Sequence, residues 1–195
     1  MKENRFFITG TGTNVGKTLV SMLLCKKFGF KYCKPIQSGS AFGTDFDYIS
    51  SMGIEIFQPS YNLLAPLSPN IAAKYEKIDI DAQKIKIPDC ENLIVEGAGG
   101  IFVPINNEFL MTYIPKKFNL ETIIVAKGGL GVINSTLLTI AALKAEKLPI
   151  RGVIFNCASD DEIASIMQFC DVKNLGRIDH ISCLNTDNIA HDINL

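Results

Sequence analysis

A three-layer α/β architecture, a parallel sheet with helices on both faces, is what this sequence predicts. Three observations carry it: short unbroken apolar runs, stretches of helical spacing between them, and a glycine-rich turn after the first run. A strand covered by helices on both sides reads as a continuous apolar run, where a half-exposed strand alternates. Such runs are Arg5–Thr9, Phe30–Cys33, Asn92–Val95, Thr122–Ala126, Gly152–Phe155 and Asn174–Ile178. Between them, apolar residues recur at helical spacing over Lys17–Phe28, Ser135–Lys147 and Glu162–Phe169. Strand and helix in alternation give parallel pairing through crossover connections. Residues 39–91 are punctuated by Pro59, Pro66, Pro69 and Pro88 and read as short helices joined by long loops. With no repeat, low-complexity tract or linker, residues 1–195 are expected to form one domain.

Composition narrows the class. The chain is 47% hydrophobic and 20% charged with a formal net charge of −1. That balance gives no electrostatic reason to expect nucleic acid or an anionic membrane as partner. Six cysteines, at 25, 33, 90, 157, 170 and 183, include no C-x-x-C pair. They read as thiols of a reducing compartment, without a disulfide frame or a zinc site. The first residues lack the pattern of a secretory signal, and no run of 18 apolar residues occurs. A cytoplasmic protein is the expectation.

In open parallel sheets, ligands sit beyond the carboxyl ends of the strands. The segment after the first run is Gly10-Thr11-Gly12-Thr13-Asn14-Val15-Gly16-Lys17-Thr18. Glycines let backbone N–H groups converge on phosphate oxygens, and the following helix adds its N-terminal positive end. Lys17 is placed to reach the β- and γ-phosphates of a nucleotide, and the Thr18 hydroxyl to ligate Mg²⁺. The strict G-x-x-x-x-G-K-[ST] pattern fails at Thr11, while G-K-T is intact between strand and helix. This predicts a sheet of the P-loop NTPase type.

Two further strand ends bear on chemistry. Lys34-Pro35-Ile36-Gln37-Ser38-Gly39-Ser40 places a lysine over the ligand crevice, with a stiff exit at proline and a sharp turn at Gly39. The run Asn92–Val95 ends in Glu96-Gly97-Ala98-Gly99-Gly100. An apolar strand closing on a carboxylate is the Walker B arrangement, which supplies a Mg²⁺ ligand opposite the phosphate loop.

Together these segments resemble the dethiobiotin synthetase family. The loop G-T-x-T-x-V-G-K-T resembles its phosphate loop, K-P-x-x-[ST]-G-S its lysine signature, and V-E-G-A-G-G its third motif without a mismatch. Ala65-Pro66-Leu67-Ser68-Pro69-Asn70 is similar to the family's P-x-S-P-H segment, with Asn70 for histidine. Gly129-Leu130-Gly131-Val132-Ile133-Asn134 is similar to its L-G-x-I-N, with Gly129 for a basic residue and Ser135 for a histidine. The resemblance runs to about residue 157. Farther on, Gly176-Arg177-Ile178-Asp179-His180 carries Asp179 where the family has proline.

The resemblance implies roles. Lys34 and Lys17 would be catalytic. Nucleotide contacts fall on Thr13, Asn14, Val15, Gly16, Lys17, Thr18 and Leu19 in the loop. They fall also on Glu96, Gly97, Ala98 and Gly99, and on Asn156 and Cys157 beside the base. Mg²⁺ would be held by Thr18, Glu96 and the family's aspartate, which is matched to Asp47, itself also a nucleotide contact. Asp45 is the rival, since either acid could begin a helix; Asp47 is preferred because apolar residues follow it. The substrate would meet Thr13, Ser38, Gly131 and Asn134. The implied reaction joins ATP, CO₂ and 7,8-diaminononanoate into dethiobiotin, in a homodimer whose partner subunit lends the helix near Gly131. The divergence at Asp179 implies weak discrimination among nucleotide bases. A partition- or maturation-type ATPase acting on a partner protein is the alternative, and it would usually carry a lysine early in the loop, where this chain has Thr11, Gly12, Thr13 and Asn14.

Overall fold

The computed structural model describes residues 4–179 and 193–195; the Phe42 side chain and His180 lie outside the description. Successive side chains of the central strands point into two different cores, which makes the apolar runs continuous. In β1 (Arg5–Gly10), Phe7 joins one core while Phe6 and Ile8 join the other. The same division separates Leu93 and Val95 from Ile94 in β6 (Leu93–Gly100), and Ile124 and Ala126 from Ile123 and Val125 in β7 (Glu121–Lys127). In β8 (Ile150–Asn156) it separates Val153 and Phe155 from Ile154.

The sheet has seven strands in the order β4-β2-β6-β1-β7-β8-β9, every pair parallel. Its remaining members are β2 (Lys31–Cys33), β4 (Ile56–Phe57) and β9 (Asn174–Ile178). Helices α1 (Lys17–Phe28) and α2 (Asp45–Ser51) cover one face. On the other lie α3 (Pro69–Glu76), α4 (Tyr113–Lys117), α5 (Val132–Ala145) and α6 (Asp160–Gln168). This is the three-layer parallel arrangement expected.

Differences from the sequence reading are local. The expected strand at Asn92–Val95 continues to Gly100, because Gly10 of β1 pairs with Gly100 and draws the acidic segment into the sheet. Residues 39–91 contain the short helices expected, together with the two-residue β4. They also contain β5 (Tyr61–Leu63), which pairs in parallel with β3 (Ile36–Ser38) as a separate two-stranded sheet. Strands of two and three residues are too short to show a period, and their partners lie far away in sequence. The last helix begins at Asp160 because Ser159 and Glu162 form a capping box. No described helix is long and apolar enough to cross a membrane.

Two measurements check this packing. Leu93, fully buried at the sheet centre, should lose about 2–5 kcal/mol of stability on replacement by alanine in urea unfolding. The cysteines should divide by environment. Burial, with the nearby Glu96 charge, pushes the Cys25 thiol up to about 12, and burial, with Cys90 nearby, does the same at Cys33. At pH 8 their thiolate fraction is then on the order of one in ten thousand. Exposed Cys157 should therefore be alkylated in the native protein, while Cys25 and Cys33 react only after unfolding; mapping of labelled peptides reads the difference.

Candidate active site

A cavity of about 860 Å³ opens at the carboxyl edge of the sheet, where β1, β2 and β6 end side by side. Thr13, Asn14, Gly16, Lys17 and Thr18 line it from the loop after β1. Lys34, Gln37 and Ser38 line it from beyond β2, and Glu96, Ala98 and Gly99 from β6. The sequence had assigned functional roles to all of these except Gln37. Pro66, Leu67, Ser68 and Pro69 close another side, so the segment resembling P-x-S-P-H does reach the cavity.

The phosphate loop is held in shape by local constraints. Gly10, the last residue of β1, is followed so tightly that a Cβ on it would stand 2.6 Å from Val15 Cγ2. The loop closes through Asn14 at φ 59° and Gly16 at φ 97°, and α1 starts at Lys17. At Gly16 a side chain is doubly barred, since a Cβ there would also meet the Asn156 amide nitrogen at 2.4 Å. That amide donates to the Val15 carbonyl at 2.9 Å, so the end of β8 clamps the back of the loop. The first turn of α1 holds no acidic residue, which leaves its N–H groups facing the cavity mouth for an anion.

Glu96 is the centre of the polar network. It is 1% exposed, and its carboxylate accepts four hydrogen bonds. One oxygen, Oε1, receives Thr18 Oγ1 at 3.0 Å and Lys34 Nζ at 3.1 Å; the other, Oε2, receives Ser21 Oγ at 2.9 Å and Tyr32 Oη at 3.1 Å. Lys34 also pairs with Asp45 Oδ2, and Thr18 Oγ1 lies 2.9 Å from Asp45 Oδ1, so its single hydroxyl proton is shared between the two acids. Burial disfavours the Lys34 ammonium, yet Glu96 and then Asp45 outweigh it and hold its pKa above the usual lysine value. Burial would raise the Asp45 carboxyl, but Lys34 and Thr18 overcome it and keep it below the usual range. Lys17 differs: burial, which Glu96 only partly offsets, brings its pKa down. The Tyr32 phenol is pushed far up by burial and then by Glu96, so it is a neutral donor.

Against the preference for Asp47 read from the sequence, the structure brings Asp45 to the cavity and leaves Asp47 outside it. Thr44 caps α2, and its backbone N–H and hydroxyl both donate to Asp47 Oδ2, at 3.0 and 2.6 Å. The Asp47 backbone N–H returns a bond to Thr44 Oγ1 at 3.0 Å. Asp47 is thus exposed and committed to a capping box, while Asp45, two residues earlier, points to Thr18 and Lys34. The spacing Thr44-x-x-Asp47 is itself a cap signature, legible in the sequence.

Other expected residues lie apart from the cavity. Val15 and Leu19 pack against the core around α1. Gly97 sits inside β6, where a Cβ would stand 2.6 Å from Phe7 Cζ. Asn156 and the exposed Cys157, at φ 54°, lie behind the loop. Gly131 and Asn134, at the start of α5, are solvent-exposed and do not line this cavity. Sequence reasoning missed Ser21 and Tyr32, whose roles as Glu96 donors no motif announces.

The two aspartates should separate by substitution. Asp45→Asn should raise the Mg²⁺ concentration needed for half-maximal turnover by about tenfold or more. Asp47→Asn should leave that requirement unchanged and only lower the melting temperature slightly; a Mg²⁺ titration of both variants reads this.

The family described as AAA domain matches residues 4–188. The ATP-dependent dethiobiotin synthetase BioD of Lawsonia intracellularis is 45% identical over 153 residues, which covers 78% of this chain and 75% of that protein. The BioD of Sphingopyxis alaskensis is 39% identical over 188 residues, covering 95% and 93%. Among solved structures, a plasmid partition protein of Borrelia burgdorferi B31 bound to AMPPNP superposes with a TM-score of 0.58 at 15% identity, covering 95% of this chain and 90% of that one. A ParA family ATPase of Chlorobium tepidum gives 0.56 at 13% identity, covering 92% and 86%. At such identities these structures share the fold alone. The close sequence relatives, matched along most of their own length, are what decide the family: the chain belongs to the ATP-dependent dethiobiotin synthetases.

Proposed function

We propose that this protein is a dethiobiotin synthetase that works as one domain, closing a cyclic urea on 7,8-diaminononanoate with CO₂ and ATP. The observation that carries the proposal is the convergence of Lys17, Thr18, Lys34, Asp45 and Glu96 on one cavity edge, beside a glycine-lined wall at Gly99. Among the described residues that line the cavity there is no histidine or cysteine, and phosphoryl transfer needs no protein nucleophile: it is served by positioning and by charge.

The donor set suits Mg²⁺. Thr18, Asp45 and Glu96 offer hard oxygens. Among the described residues no group of three or more His, Cys, Asp or Glu could hold a metal alone. Mg²⁺ is commonly held by one or two carboxylates and completes its shell with phosphate oxygens and water. Those three side chains would hold it, and when bound it supplies positive charge beside the phosphates.

The chemistry proceeds through this chain's own groups. One substrate amine adds to the carbon of CO₂, losing a proton and giving a carbamate. A carbamate oxygen attacks the γ-phosphorus as the bond to the ADP oxygen breaks. The second amine then attacks the carbamoyl carbon, closes the ring and expels phosphate. Lys17 steadies the transferring phosphoryl group and Lys34 the carbamate and its anhydride, while Ser38 and the backbone near Thr13 position the diamine. Asn156 and Cys157, behind the phosphate loop, would flank the base of a nucleotide that reaches past the loop. As the free protein uses Lys34 to bridge two acids, delivery of that ammonium to an anion accompanies nucleotide binding.

The exposed start of α5 supports a homodimer. Leu130, Gly131 and Asn134 turn outward, away from their own cavity, and Leu138 one turn beyond Asn134 is also exposed. A partner subunit would receive them. No charge excess favours nucleic acid or a membrane, and we place the enzyme in the cytoplasm.

Turnover is the test. ATP hydrolysis stimulated by diaminononanoate and bicarbonate, with dethiobiotin identified by mass, supports the reading; stimulation only by a protein partner contradicts it. Lys34→Ala should lower turnover by about two orders of magnitude or more, with Mg·ATP affinity within a few-fold. Sedimentation should give twice the 21.4 kDa chain mass, and an active monomer would overturn the shared site.

A further inference from the structure

The two oxygens of Glu96 have different neighbours. Oε1 accepts from Thr18 and Lys34, both of which line the cavity. Oε2 is turned into the protein and accepts from Ser21 and Tyr32. Ser21 and Tyr32 have no exposed surface and do not line the cavity, so neither can touch a ligand. Packing alone does not explain the tyrosine. A phenylalanine would fill the same space between α1 and α2, and the phenol is accommodated in this core only because a carboxylate accepts its hydrogen bond.

The ring of Tyr32 has a second contact. It meets Phe46 edge to face, with centroids 5.7 Å apart and planes at 68°. Phe46 is buried and directly follows Asp45 in α2. One side chain thus bears on both acids: through its hydroxyl on Glu96, and through its ring on the helix turn that carries Asp45. A carboxylate free to rotate about its last bond would present either oxygen, or neither, to a ligand. Fixing Oε2 with two buried donors leaves Oε1 facing Thr18 and Lys34.

We infer that Tyr32, assisted by Ser21, is a positioning residue that locks Glu96 and Asp45 into one orientation toward the cation accompanying the nucleotide. This rests on reading Glu96 as a ligand of that cation. Buried partners that orient ligating groups commonly govern metal affinity by ten- to a hundredfold.

The test uses the full chain loaded with AMPPNP, titrated with Mn²⁺ and followed by electron paramagnetic resonance. Tyr32→Phe keeps the ring and its Phe46 contact and removes only the hydroxyl. Ser21→Ala is the second variant, should the first fail to fold, and Glu96→Gln is the reference. Mn²⁺ affinity should fall by about fivefold or more in Tyr32→Phe or Ser21→Ala, while AMPPNP affinity measured in EDTA stays within about twofold. A purely structural role would lower the melting temperature and leave Mn²⁺ affinity unmoved. A smaller change in both variants, with a large loss in Glu96→Gln, overturns the inference and leaves the site reading intact. No loss in Glu96→Gln overturns the reading of the cation site as well.

Discussion

The carboxylate of Glu96 is where the fold and the chemistry depend on each other. A carboxylate with almost no exposed surface is strongly unfavourable unless its lone pairs are filled. Here they are filled by four donors from three segments: Thr18 and Ser21 on the first helix, Tyr32 in the second strand, and Lys34 just beyond it. None of these segments is near Glu96 in sequence. The phosphate loop, the lysine signature and the acidic motif can satisfy one another only when strands β2, β6 and β1 lie in that order. The polar network thereby fixes the sheet order that brings the cavity walls together.

The same network sets the charge of the resting site. Lys34 pairs with both carboxylates, while the Lys17 ammonium reaches the Gly12 carbonyl. Lys34 is held charged by both acids, whereas burial works against the charge on Lys17. An incoming polyphosphate would add to the partial compensation that Glu96 and Asp45 give Lys17. It would also compete with Asp45 and Glu96 for Lys34, which would free the acids for a cation. Binding and assembly of the site are in this way one event, governed by which anion each ammonium prefers.

Much of this was legible in the sequence because covered strands and phosphate loops leave strong marks. The apolar runs located six of the seven strands of the main sheet, and G-K-T and E-G-A-G-G marked both cavity walls. The failures have physical causes. Asp47 was preferred over Asp45 because apolar residues follow it, yet Thr44 three residues earlier claims that carboxylate for a helix cap. Tyr32 sat unnoticed in an apolar run, since pattern reading counts its ring and overlooks its hydroxyl. The two-residue β4 and the separate β3–β5 pair depend on distant partners, which no local period reports. Gly131 and Asn134 were assigned only through resemblance, and in this chain they do not line the cavity.

Glu96, Thr18 and Asp45 should form a cation site that Lys34 bridges until nucleotide arrives. A crystal structure with Mg²⁺, a non-hydrolysable ATP analogue and diaminononanoate tests it most directly. The account predicts a cation contacted by Thr18, Asp45 and Glu96, with Lys34 withdrawn from at least one of the two acids toward an oxygen of the ligands. A cation held by Asp47, or Lys34 still bridging Asp45 and Glu96 beside bound nucleotide, would contradict it.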